Sequence, residues 1–312
     1  MFNIQNFIEK INCPNCNENS YEVIKNSNYL KINCLEDLQS IYRSSADELL
    51  IDQLVECKNC NLQYLNPRVN SKIIIESYED NVDETHASQD ASRIKTFTKS
   101  LKKIIKIMNI TNLTKKSFLD IGSASGACLS SIKNFGFKEE GYEPSKWMVE
   151  YGKEKYNVNI NQGSITNVDE NKRFDLISFW DVLEHVTELD KTLKKVEKIS
   201  KNNSILIINV PDIKSLTCLM MGNNWPFYLN VHLYYFSRKT IETILKKYNF
   251  DLIDHFPHWQ YLELGYLCKR AKKYLKIFNY IEKLIILLRL SNISVPYNIG
   301  QTTFIFKNTK SE

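Results

Sequence analysis

No stretch of this 312-residue chain reaches the roughly 18 uninterrupted apolar residues that a membrane-spanning helix needs. The opening residues, MFNIQNFIEKINCP, lack a basic start, an apolar core and a small-residue cleavage site. A secretion signal is therefore not expected, and a cytoplasmic location is. No internal repeat or low-complexity tract stands out. The formal charge of +5 is mild for the length and falls short of the concentrated positive charge of a nucleic-acid binder. What is present is core material: 43% of the residues are hydrophobic, enough for one large domain or two modest ones. Eight cysteines without a signal peptide point to thiols or metal ligands rather than disulfides.

Three regions separate. Residues 1–70 hold five of the eight cysteines and little sustained periodicity. Residues 71–115 have helical spacing and read as a connector or cap, with Ile94, Phe97, Leu101, Ile104, Ile105 and Met108 on one stripe. From residue 116 to 312, strand-like runs alternate with helical ones: SFLDIG, KEEGYEPS, VNINQGS, FDLISFWDV, SILIINVP, FDLIDHF and TTFIFKN. That alternation predicts an α/β fold with a largely parallel, doubly wound sheet of seven strands, the last two forming an antiparallel pair. Residues 262–291 insert a stretch of helical pattern mixing Lys and Arg with bulky apolar side chains. A basic amphipathic helix there can pack on the sheet, cap a cleft, make a homodimer contact, or lie peripherally on the inner face of a membrane.

Cys13-Pro-Asn-Cys16 and Cys57-Lys-Asn-Cys60 are two matching knuckles. Each turn can aim both sulfurs at one ion, and the two together complete a tetrahedral Zn²⁺ site with all positions filled, hence structural. The 40 residues between them, 17–56, exceed the roughly 15–20 of a compact ribbon, and Cys34 within that gap is a spare or alternative ligand. A redox CxxC would not need a second matching pair. Cys128, Cys218 and Cys268 read as small buried residues.

The most informative segment is FLDIGSASGACLSSIKNFGFKEEGYEPS, residues 118–145. A strand ends near Asp120, turns through Gly122, Ala124 and Gly126, enters a helix, and a second strand ends at Glu143. Backbone N–H groups of such a turn face a polar ligand, and the acid at the second strand tip suits ribose hydroxyls. A dinucleotide would bring its pyrophosphate close to Asp120, which is electrostatically awkward; a cationic, amino-bearing ligand suits the position.

In these residues the chain resembles class I S-adenosylmethionine-dependent methyltransferases, whose first motif is an apolar strand followed by D-x-G-x-G-x-G; Ala124 stands at the usual middle glycine. The resemblance implies a Rossmann-like seven-stranded methyltransferase domain behind a small zinc-binding module, with S-adenosyl-L-methionine as cofactor. It assigns Asp120, Gly122, Ala124, Gly126 and Glu143 to the cofactor. It adds Ser164 and Ile165 beside the adenine, and Trp180 and Asp181 beside the methionine part. Ser164 stands where an Asp is common. The knuckles followed by CNLQYLNPR are similar to bacterial enzymes of capsule, O-antigen and deoxysugar pathways. That likeness implies a role in polysaccharide biosynthesis, with a small-molecule or glycan acceptor methylated on a sugar hydroxyl.

A hydroxyl acceptor must lose a proton, and Asp181, Glu184, His185 and His232 are candidates for taking it. His232 is preferred as catalytic base, with His185 second, because an imidazole near its ordinary pKa suits the task. Around His232, the aromatics Trp225, Phe227, Tyr228, Tyr234 and Tyr235 divide between sugar stacking and core packing. Two competing readings are a zinc-ribbon ribosomal RNA base methyltransferase and a non-catalytic cofactor-binding assembly protein. Mixed charge disfavours the first; the joint presence of Asp120, Gly122, Gly126 and Glu143 disfavours the second.

Overall fold

A computed structural model of the chain describes residues 3–30, 32–42, 49–79, 84–272 and 277–310. All seven expected strands form one sheet. They are β1 (Ser117–Ile121), β2 (Lys138–Glu143), β3 (Ile160–Gln162), β4 (Phe174–Trp180), β5 (Ser200–Pro211), β6 (Phe250–Pro257) and β7 (Gln301–Asn308). Their spatial order is β6-β7-β5-β4-β1-β2-β3. The strands from β3 to β5 run parallel, while β7 lies antiparallel between β5 and β6.

The central strands β1, β4 and β5 carry near-continuous apolar runs because both sheet faces are covered there. Successive side chains alternate between two cores. Phe118, Leu176, Ile207 and Ile305 enter one; Leu119, Ile177, Leu206, Ile208, Phe304 and Phe306 enter the other. The first core is closed by helices α1 (Asp90–Ile107), α2 (Ala127–Lys133) and α3 (Lys146–Tyr156). Leu101 and Ile104 of the predicted stripe are fully buried in it. The second core is closed by α4 (Leu189–Ile199) and α5 (Arg238–Lys246), and it continues without a break into residues 13–74.

That continuity has a structural cause. Tyr21–Lys25, Leu54–Cys57 and Gln63–Leu65 form an antiparallel sheet whose fourth strand, Tyr234–Tyr235, comes from the connection after β5. Tyr42, Tyr64, Tyr234 and Tyr235 are all fully buried in the shared core. Each aromatic side chain removes about 150–250 Å² from water, worth a few kcal/mol at roughly 25 cal/mol per Å². The knuckle gap exceeds a compact ribbon because it carries the strand Tyr21–Lys25 and the helix Leu35–Ile41.

The segment expected as one basic amphipathic helix is instead a hairpin. Helices Leu264–Ala271 and Phe278–Leu287 stand on a two-stranded ribbon pairing Gln260–Glu263 with Ser294–Tyr297. Residues 273–276 of that segment lie outside the described residues. Among the described residues no helix is long and apolar enough to cross a membrane.

Candidate active site

Strand order reverses between β1 and β4, so a crevice opens at their carboxyl ends. The turn after β1 occupies it. Gly122 and Ser123 donate their backbone N–H groups to the Tyr142 carbonyl at 2.8 and 3.1 Å, tying the turn to β2. Gly122, Ala124 and Gly126 all have positive φ, at +69°, +45° and +80°. A Cβ on Gly122 would sit 2.4 Å from Val182 Cγ2, and one on Gly126 2.9 Å from Val158 Cγ2. The first and last positions therefore exclude a side chain on space as well as conformation. Ala124 carries one in the left-handed region, at a cost of about 1 kcal/mol.

Glu143 closes this end. Its Oε2 accepts from the Ala124 N–H at 2.9 Å and its Oε1 from the Ser145 N–H at 3.0 Å. Burial raises its pKa, and the two N–H groups oppose that by favouring the charged form. Each carboxylate oxygen keeps a second lone pair, so hydroxyl donors can still be accepted. The Gly163 N–H donates to the Glu143 carbonyl at 3.0 Å, bringing the loop after β3 alongside. In that loop Ser164 caps the 3-10 turn Ile165–Asn167, and Ile165 is buried beneath it.

Asp120 lies under the turn. It is buried, accepts a short hydrogen bond from Ser178 on β4, and is pushed up to about 7, chiefly by burial.

At the tip of β4, Trp180 packs between Phe97 and His258, with ring centroids 5.3 Å away in each case. Asp181 follows with φ +57°. Its carboxylate accepts from Asn209 Nδ2 and Gln301 Nε2 at 2.6 Å each and from Gln260 Nε2 at 3.3 Å. Burial lifts its pKa to about 6 against these donors and the nearby Arg93 charge. Arg93, Thr96, Phe97, Trp180, Asp181 and Tyr261 line a cleft here. Sequence reasoning missed Arg93, Asn209, Gln260 and Gln301. Arg93 stands one place before the helical stripe, and the others come from strands with no motif to mark them.

The two histidines meet on the other side of the β4 loop. His185 ends the 3-10 turn Leu183–His185, and His232 lies in the connection after β5. Their ring centroids are 4.8 Å apart at 74°. Each directs Nδ1 at a backbone carbonyl, His185 at Val231 and His232 at Phe227, both at 2.8 Å. Burial lowers the pKa of both, to about 4 for His185 and well below the ordinary value for His232. Both rings are therefore neutral at pH 7 and weak as lone bases. Glu184 beside them is buried, and among the described residues neither carboxylate oxygen has a hydrogen-bond partner.

Of the five aromatics expected near His232, Trp225, Tyr234 and Tyr235 belong to the core. Their polar atoms are satisfied by the carbonyls of Ile299, Thr187 and Leu229 respectively. Only Phe227 and Tyr228 are partly exposed. The loop is braced from the N-terminal side. The Leu65 N–H donates to the Leu233 carbonyl at 3.1 Å, the Asn230 Oδ1 accepts from the Ile51 N–H at 2.6 Å, and Arg68 reaches the Thr187 carbonyl at 3.0 Å.

The four knuckle cysteines come together as their spacing requires. All four sulfurs lie within 4.8 Å of one another, with Cys13–Cys60 and Cys16–Cys57 at 3.4 Å. Asn17 and Asn61, following each knuckle, have matching φ of 61° and 58°. Tetrahedral Zn–S bonds of about 2.3 Å fit this quartet. A hydrogen bond from Cys13 helps hold Cys60 as thiolate, at a pKa of about 4. Cys34 stands apart and caps the helix Leu35–Ile41. Cys128, Cys218 and Cys268 are buried as expected.

Comparison with known proteins agrees with this geometry. Residues 91–255 match the family described as Methyltransferase domain, a match that takes in nearly all of α1 and the strands β1 to β5. The ubiquinone biosynthesis O-methyltransferase of Pelagibacter ubique is 27% identical over 122 residues, 37% of this chain and 51% of that protein. The ribosomal protein L11 methyltransferase of Fusobacterium nucleatum is 30% identical over 115 residues, 34% of this chain and 36% of that protein. The chain thus spans about half or less of the curated relatives' length. A chain from the complex of the Haloferax volcanii Trm112 methyltransferase activator with a methyltransferase superposes with TM-score 0.52. It covers 74% of this chain and 97% of its own length at 11% identity, a likeness of fold.

Proposed function

The chain belongs to the methyltransferase-domain family, and from that premise we propose that it methylates a sugar hydroxyl using S-adenosyl-L-methionine. The acceptor would be a nucleotide-linked sugar or a surface glycan. The observation that carries the cofactor reading is the joined donor end: a side-chain-excluding turn hydrogen-bonded to an acid at the next strand tip. When bound, the cofactor supplies a methyl group already activated on a sulfonium. Glu143 would hold the ribose hydroxyls, the main chain of 122–126 the polar part, Ser164 and Ile165 the adenine side, and Trp180 and Asp181 the methionine side. Asp120 serves by holding Ser178, which locks β1 to β4 beneath the turn.

The acceptor side is assigned to the connection after β5, where Phe227 and Tyr228 offer partly exposed rings backed by the N-terminal module. We assign structural Zn²⁺ to Cys13, Cys16, Cys57 and Cys60, which would fix that module against the loop. The Pelagibacter relative is named an O-methyltransferase, which agrees with oxygen as the methylated atom. The role of proton acceptor falls to His232 or His185. The Fusobacterium relative's name makes a ribosomal acceptor the natural alternative outcome. The exposed apolar side chains Ile277, Tyr280, Leu284 and Leu287 support a contact at the helical hairpin, with a second copy or an anionic membrane surface.

Calorimetry with S-adenosyl-L-methionine beside NAD tests the donor; binding of NAD alone would overturn it. Glu143→Ala should weaken cofactor affinity about tenfold or more, on the scale of a lost charged hydrogen bond. Labelled-methyl transfer to nucleotide sugars, measured beside ribosomal RNA and ribosomal protein, then reads the acceptor. Labelling of the ribosomal substrates alone would sink the sugar assignment.

A further inference from the structure

We propose that the helical hairpin docks on an anionic phospholipid bilayer and carries the cleft end of the sheet to it. Helix Phe278–Leu287 is apolar along most of its length, yet among the described residues it buries only Ile285. Tyr280 and Leu287 are 75% and 77% exposed, and Ile277, Leu284, Ile286 and Leu288 are exposed with them. Apolar surface of that extent, left open by the chain's own fold, marks a contact with something else.

Charge identifies the partner. Residues 264–293 contain seven Lys and Arg against a single acid, Glu282, and the remainder of the chain is close to neutral. Glu282 is paired with Lys272, so it offers an approaching anion little repulsion. Lys269, Lys283 and Arg289 are exposed on the same hairpin. A second copy docked by the same face would set these cations against their own kind. Nucleic acid offers phosphates but no apolar bed for Leu284, Ile286 and Leu287. An anionic bilayer offers both at once, with phosphates at the headgroups and acyl chains within about 5–10 Å beneath them.

Topology sets the orientation. β6 ends at Pro257 and β7 begins at Gln301, which pairs with Pro211 at the carboxyl end of β5. The hairpin therefore leaves the sheet at the end where the crevice opens, and Gln260 and Tyr261 of its ribbon line the cleft. The ribbon is fixed there: the Tyr261 N–H donates to Thr96 Oγ1 at 2.7 Å and the Glu263 N–H to Gln89 Oε1 at 3.0 Å. Helix Leu216–Met221 follows β5 at the same end and exposes Leu216, Leu219 and Met220, with Lys214 just before it.

The docking does not rest on the methyl-transfer reading, since vesicle binding is measured without cofactor or acceptor. In flotation, the full-length protein should bind phosphatidylcholine vesicles holding about 30% phosphatidylglycerol about tenfold more tightly than pure phosphatidylcholine vesicles. High salt should erode that difference. Leu284→Ser with Leu287→Ser should weaken binding about tenfold, and Lys283→Gln roughly fivefold on the anionic vesicles alone. All three side chains are exposed, so folding should survive their loss. The wild-type protein gives a second readout: on anionic vesicles, amide exchange should slow across residues 277–293 and not across β1 to β3. Equal binding to both kinds of vesicle, binding indifferent to the leucine pair, or protection elsewhere would overturn the proposal. So would a dimer that the leucine pair dissolves, or mixed-sequence RNA binding that Lys283→Gln weakens, in a protein that ignores the vesicles.

Discussion

The two ends of the cleft are built in opposite ways. The donor end, Asp120 to Ser145, is held by main-chain bonds between residues close in sequence: Gly122 to Tyr142, Ala124 to Glu143, Ser145 to Glu143. The side we propose for the acceptor joins residues 183–187, 227–235 and the N-terminal module, and its bonds span up to 179 positions. The first can form as soon as one βαβ unit folds. The second needs the whole chain in place, and we assign it metal to hold it. A donor site of this kind can be carried unchanged between proteins, while an acceptor side is rebuilt for each substrate.

The largest expected effect separates the two ends. Cys57→Ser removes one of the four ligands we propose for zinc, at a fully buried position that ends the strand paired with Gln63–Leu65. Structural zinc contributes on the order of 10 kcal/mol to small modules, so much of the N-terminal sheet should loosen. Hydrogen exchange should rise across residues 13–69 and 228–235 but not across β1 and β2. Cofactor affinity should stay within about tenfold while acceptor methylation is lost. Equal loss of both would mean the two ends fold as one unit.

A second effect belongs to the donor end alone. Asp120 has a folded pKa of about 7 against an unfolded value near 3.9, so the folded protein binds the extra proton between those limits. Stability from this group is present at low pH and lost as pH rises through 7. Asp120→Asn should therefore gain roughly 3 kcal/mol relative to the parent between pH 5 and pH 8. Buried Asp52 and Asp181, each near 6, titrate in the same direction and remain in both proteins. Denaturation curves that run parallel across that range would refute the burial argument.

The same contrast explains what was legible in the sequence. Seven strands were readable because short strand-like runs alternate with helical ones, most plainly the apolar β1, β4 and β5, and the glycine turn with its acid was readable because the motif is local. The knuckles were readable because the unit C-x-x-C-N repeats, although the long gap between them hid a strand and a helix. Asp181's partners Asn209, Gln260 and Gln301 were not readable. They lie 28 to 120 positions away and reach Asp181 only once β5, β7 and the ribbon are assembled. Glu184 is one of two candidate acids in the sequence, because a carboxylate without a hydrogen-bond partner among the described residues is a property of the packed core. The aromatics misled for the opposite reason. Stacking surface and core filling use the same residues, and only burial tells Trp225 from Phe227.

Gly122→Ala tests how tightly the donor end is packed. The added methyl meets Val182 at 2.4 Å in a conformation that disfavours any Cβ. Overpacking and the left-handed backbone together should cost about 2–3 kcal/mol and push Val182, with its neighbour Asp181, away from the turn. A loss of cofactor affinity greater than the loss of stability would identify the turn as the donor site. Unchanged affinity would remove it from that role.

The smallest effect has the opposite sign. Ala124 sits at φ +45°, where an L-residue pays for its Cβ and glycine does not. Its N–H is committed to Glu143, so the backbone cannot relax into the right-handed region without losing that bond. Ala124→Gly relieves the strain but adds conformational freedom to the unfolded chain, which offsets part of the gain. The net should be stabilisation of up to about 1 kcal/mol, seen as a slightly higher melting temperature. If Ala124 instead pre-shapes the turn for its ligand, the glycine variant should bind cofactor more weakly despite its greater stability. Stability and affinity rising together would show that the alanine is strain alone, and destabilisation would show that its methyl group makes packing contacts worth more than the strain.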